Sequence, residues 1–71
     1  MESFPKKLRT LRTRRKMSQR ELARRMDITQ GQVHFLETAQ RRPSAEFVVR
    51  LAQLFDVPLD YLMLDEVELP E

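Results

Sequence analysis

Three glutamines, Gln19, Gln30 and Gln32, and a crowd of arginines and lysines are the residues in this chain with chemistry to offer. That chemistry is hydrogen bonding and charge. General acid-base catalysis needs positioned titratable groups in a cleft, whereas this chain has one histidine, no cysteine and acids mostly at solvent-like helix positions. An enzyme is not expected. His34 has no cysteine or acid at ligand spacing, so neither a metal nor any other cofactor is expected. A glutamine amide both donates and accepts, and Gln19 opens a helix, where free backbone N-H groups make a ready anion site. Gln40, Arg41 and Arg42 follow in a basic loop that Pro43 ends.

The elements that must position these groups lie in Ser18 to Thr38, SQRELARRMDITQGQVHFLET. Leu22, Ala23 and Met26 share one helical face, Val33 and Leu36 another, and Asp27-Ile28-Thr29 separates them. A turn that short makes two amphipathic helices cross steeply, as in a helix-turn-helix. Ala23 is small enough to let the second helix approach, with Val33 as its contact. Ser18 caps the first helix and Glu21, three residues on, completes a capping box. Thr29 caps the second, over about Gln30 to Thr38, whose outer face then carries Gln30, Gly31, Gln32, His34 and Phe35.

The flanking segments supply the rest of a small core. Ser3-Phe4-Pro5 reads as a helix start with a serine cap, and Phe4, Leu8 and Leu11 recur on one face. Arg14, Arg15 and Lys16 end that helix, where cations suit the dipole and also lie near the next helix start. Ser44 caps a fourth helix that buries Val48, Leu51, Ala52 and Phe55 and leaves Phe47 off the stripe. After the break at Asp56-Val57-Pro58, Leu59, Leu62 and Met63 close the core in a short fifth helix, with Tyr61 pointing elsewhere. The reading is all-α: a domain over residues 1–64 and an acidic tail over residues 65–71, with scattered apolar Val67 and Leu69, that frays or pairs with a second subunit.

Composition agrees with a partner of opposite charge. Residues 1–42 carry twelve Lys/Arg against four acids, whereas residues 43–71 carry Arg50 against seven. A basic half joined to an acidic half points to a polyanion on one side; solvated helix faces are the alternative. A chain of 71 residues buries only about 60% of its unfolded surface, so it has a core but no deep pocket. Lacking cysteine, a membrane-length apolar run and a signal-peptide pattern, it is expected in the cytoplasm.

SQRELARRMDITQGQVHFLE resembles the DNA-binding unit of the phage Cro/repressor-type (XRE-like) helix-turn-helix family, whose pattern runs Ser-Gln-x-x-Leu-Ala, a short turn, then Ser/Thr opening a recognition helix that ends in Ile/Leu-Glu. LRTLRTRRKMSQ resembles its first helix and RRPSAEFVVRLAQLFDVPLDYLM its fourth and fifth, so about residues 4–64 are covered. The resemblance implies a compact five-helix lambda-repressor-like domain. It also implies a partly buried ion pair between Arg12 and Glu37, and glycine where Lys16, Asp27, Ala39 and Asp56 stand.

For the site, the resemblance implies that helix 3 enters a major groove. Gln30 and Gln32 are then the first readers, because an amide can bond adenine N6 and N7 together. Gly31 either brings backbone close to the DNA or is merely tolerated, and Phe35 either packs on a thymine methyl or turns into the core. Gln19, Lys16, Arg20, Thr29, His34, Gln40, Arg41 and Arg42 are the candidate phosphate contacts; His34 could instead touch only solvent, and the loop could be merely soluble. The expected protein is a sequence-specific regulator of double-stranded DNA, a repressor, acting as a homodimer through Phe47, Tyr61, Met63 and Leu64. The alternative is an antitoxin or interaction module that binds a protein partner through its acidic C-terminal third. No membrane partner is expected.

Overall fold

A computed structural model describes residues 1–68, with helices α1 (Phe4–Arg14), α2 (Gln19–Met26), α3 (Gln30–Glu37), α4 (Ala45–Phe55) and α5 (Leu59–Met63). The apolar stripes of all five meet in one core, in which Leu8, Val33, Val48, Leu51 and Leu62 are fully enclosed. α2 packs on α3, α3 on α1, and α5 joins α4 to α1. Ala23 and Val33 are both buried at the α2–α3 crossing, and Met17 adds a core residue from the α1–α2 connection.

Four helices end the same way. After α1, α2, α3 and α4 a residue adopts the left-handed backbone, namely Lys16, Asp27, Ala39 and Asp56, with φ of 55°, 57°, 63° and 53°. In each case the next N-H bonds five residues back: Met17 to Arg12 at 3.1 Å, Ile28 to Ala23 at 3.0 Å, Gln40 to Phe35 at 2.9 Å and Val57 to Ala52 at 3.0 Å. These bonds satisfy carbonyls that the helix leaves free, in the geometry that normally favours glycine. The chain's one glycine, Gly31, is instead helical and has no positive φ.

The two ends of the fold hold each other, and here the structure departs from the reading by residue pattern. Ser3 does not cap α1. Its hydroxyl donates to Asp65 Oδ1 at 2.8 Å, and its N-H and that of Glu2 donate to the same carboxylate at 2.9 and 3.0 Å. The hydroxyl thus serves as a donor to the distant carboxylate rather than as an acceptor for a first-turn N-H, and Asp65 sets a negative charge at the start of α1. In return, Lys7 of α1 is buried, and its ammonium donates to the carbonyls of Tyr61, Leu64 and Val67 at 2.7, 2.8 and 2.8 Å. Residues 65–67 are therefore tied down rather than frayed, and Val67 is half-buried. Leu69 and Pro70-Glu71 lie outside the described residues.

Tyr61, expected at the surface and in a dimer contact, is 4% exposed, whereas Leu59, expected in the core, is 40% exposed. The Lys7 ammonium lies 4.7 Å from the Tyr61 ring centroid, a cation–π contact that draws the ring inward. Burial pushes the phenol pKa up.

Candidate nucleic-acid interface

The outer face of α3 is set by what lies beneath it. Val33 is fully buried and Leu36 nearly so, which turns Gln30, Gly31, His34 and Phe35 to the exterior. Phe35 is 42% exposed and so has not turned into the core. At the C-terminal end of α3, Glu37 is locked from below. Arg12 donates to both carboxylate oxygens, at 2.6 and 3.0 Å, and its remaining amine bonds the Met17 carbonyl at 2.8 Å. The Arg12 side chain is 12% exposed and that of Glu37 2%, so α1, α3 and the α1–α2 connection are joined inside the protein.

Gln19 enters the same cluster. Its amide donates to Glu37 Oε1 at 3.1 Å and is half-buried, which brings the start of α2 beside the end of α3. Lys16 and Arg20 flank that junction and are exposed. On the other side the Ala39–Pro43 loop folds back on α3, with the Gln40 and Arg41 N-H groups bonding the Phe35 carbonyl at 2.9 and 3.3 Å. Arg41 and Arg42 border a shallow depression shared with Ile28, Gln32, Leu36 and Phe47. Gln40 bonds the Thr38 hydroxyl at 2.9 Å. Exposed cations therefore adjoin α3 in two places, in the segment around Gln19 that meets its C-terminal end and in the loop that folds back on it.

Two capping features are exchanged relative to the pattern read from sequence. At α2, the Ser18 hydroxyl accepts from the Glu21 N-H at 3.0 Å, but the Glu21 carboxylate does not return to Ser18. Arg24 bonds it at 3.0 and 2.6 Å and Arg25 at 3.1 Å, and these bonds, that of Arg24 foremost, pull its pKa to about 2. The reciprocal box is at α3 instead, between Thr29 and Gln32. Gln32, expected as a free outward amide, is half-buried with its carbonyl oxygen engaged.

Several cations prove structural. Arg15 donates to the Phe55 carbonyl at 2.9 Å and lies over the Phe55 ring, and Arg50 donates to the Met26 carbonyl at 3.1 Å. Each closes the C-terminal end of a helix. Local spacing gave no signal for either, because the partners are 40 and 24 residues apart. Among the other expected contact residues, Phe47 and Met63 are half-buried against the core and Leu64 is exposed.

A family model described as helix-turn-helix matches residues 8–62, from within α1 to within α5. The chain belongs to this family, of the Cro/repressor type, and is a DNA-binding helix-turn-helix protein. Comparison with curated proteins finds no match, and neither does comparison with solved structures. Among the described residues no helix is long and apolar enough to cross a membrane.

Proposed function

We propose that this protein is a sequence-specific transcriptional repressor that lays α3 in the major groove of duplex DNA. The observation that carries the reading is the pairing of an exposed Gln30–Phe35 face with Lys16 and Arg20 in the segment around Gln19 and with Arg41 and Arg42 in the loop that folds back on α3. Gln30 is the principal base reader, and Gly31 and Phe35 add close backbone approach and apolar contact. Gln19, Thr29, His34 and Gln40 join the cations in holding phosphates, which set register without reading sequence. The second Gln19 amide hydrogen remains for this use while the first stays on Glu37. One such module contacts few bases, so two copies bind half-sites about 34 Å apart. Leu64, with its exposed neighbour Leu59, supports a contact between copies better than buried Tyr61 does. Repression follows from occupancy alone.

Selection of bound duplexes from a random pool tests this directly. A symmetric enriched site is expected. Gln30→Ala then relaxes preference at one base pair by about 1–3 kcal/mol, whereas Arg42→Ala weakens all duplexes alike. Uniform effects from both variants would mean that the reading surface lies elsewhere.

A further inference from the structure

The turn that leads into α3 is closed by two reciprocal bonds: the Thr29 hydroxyl accepts from the Gln32 N-H at 3.0 Å, and the Gln32 side-chain oxygen accepts from the Thr29 N-H at 2.8 Å. On the α2 side the turn is held by the Ile28 N-H bond to the Ala23 carbonyl at 3.0 Å and by Ile28 packing on the core; on the α3 side the box is its only side-chain tie among the described residues. Its first residues include Gly31, a poor helix former, and no acid that would favour the dipole. A glutamine reading adenine needs its oxygen for the N6 amine and its nitrogen for N7. In Gln32 the bond from the Thr29 N-H turns the amide back along the first turn of α3, and reaching out to a base would strip the Thr29 N-H of its partner as the helix docks. The side chain is accordingly half-buried beside Ile28 and Phe47 rather than extended from the helix. Gln30 is exposed, and its amide makes no hydrogen bond among the described residues.

We infer that Gln32 is a positioning residue: through the Thr29 box it fixes the turn from which Gln30 and Phe35 are presented, and it reads no base. This rests on the proposed binding of duplex DNA. It is tested by random-pool selection and thermal melts on the wild type, Gln32→Ala and Gln32→Glu. Gln32→Ala is expected to keep the wild-type base preference at every position and melt lower. It should bind all duplexes about fivefold more weakly, because the docking-competent turn is less populated. Gln32→Glu, which preserves an acceptor for the Thr29 N-H, is expected to recover the melt. A Gln32→Ala protein that loses preference at one base pair by tenfold or more overturns the inference, as do Ala and Glu variants that melt alike. A wild-type chain that enriches no duplex defeats the repressor reading itself, and the inference with it.

Discussion

Glu37 ties three parts of the fold together, because its carboxylate accepts from Arg12 twice and from Gln19 once inside the protein. Glu37→Ala leaves the Arg12 guanidinium without its counter-charge in a site it cannot easily leave, and the expected loss is about 3–5 kcal/mol in urea denaturation. A loss below about 1 kcal/mol would class the pair with ordinary surface ion pairs. Asp65 makes a different prediction, about acid. Hydrogen bonds from the Ser3 N-H and hydroxyl, with help from Glu2 and the terminal amine, bring its pKa from 3.8 to about 2. Since the folded value lies below the unfolded one, the unfolded chain takes up the proton first as pH falls. The Asp65 contribution is thus essentially present above about pH 4 and is lost progressively as pH falls from there through about pH 2. Asp65→Asn is expected to flatten the pH dependence of stability across that window, and an unchanged slope in urea titrations would show the contact to be absent in solution.

At the scale of the helices, most of the fold was legible in the sequence, because four of the five helices bury the stripes that their spacing marks. The exceptions have a common physical form, a distant or competing partner. Ser18-Gln19-Arg20-Glu21 and Thr29-Gln30-Gly31-Gln32 both fit the capping-box template, but Arg24 and Arg25 stand three and four residues beyond Glu21 and take its carboxylate. Gln32 has no such rival and completes the box. In α5, a helix of five residues is too short for periodicity to choose between Leu59 and Tyr61, and Lys7 makes the choice from 54 residues away. The α3 face and its flanking cations were readable from spacing and charge, whereas the structural roles of Arg15 and Arg50 were not. Glycine placement gives two further predictions. A β-carbon at Gly31 would meet only the Thr29 hydroxyl at 3.8 Å, so Gly31→Ala should stabilise the protein by about 1 kcal/mol. If close backbone approach to DNA is what Gly31 serves, the same variant binds duplex more weakly, and equal or tighter binding would assign the glycine no role. At Ala39, where the left-handed backbone crowds the β-carbon, Ala39→Gly should raise stability by up to about 1 kcal/mol in thermal melts.

Over the whole molecule, the twelve cations of residues 1–42 divide by use. Lys7, Arg12 and Arg15 hold the core and helix ends, and Arg24 and Arg25 are engaged by Glu21. The other seven, Lys6, Arg9, Arg14, Lys16, Arg20, Arg41 and Arg42, are exposed and, among the described residues, enter no ion pair. Net charge alone would therefore overstate the grip on a polyanion. The logarithm of affinity for duplex DNA should fall with the logarithm of salt concentration by about 0.9 per phosphate held. Arg42→Ala is expected to reduce that slope by about one for each phosphate lost, while Arg24→Ala leaves it unchanged. A slope that drops equally for both would mean that the Glu21 pairs open on binding.

The mutual hold between residues 2–7 and 61–67 also sets an order of events. Its bonds span 54 to 63 residues of chain, whereas α2 and α3 are neighbours in sequence, so the entropy of closing the long loop falls on the former. During refolding the α2–α3 crossing should form early and the seam between the termini should seal last. Among the hydrogen-bonded amides, exchange in the native protein should then be fastest at Glu2, Ser3 and Val67 and slowest around Val33, with release of the last helix preceding global opening.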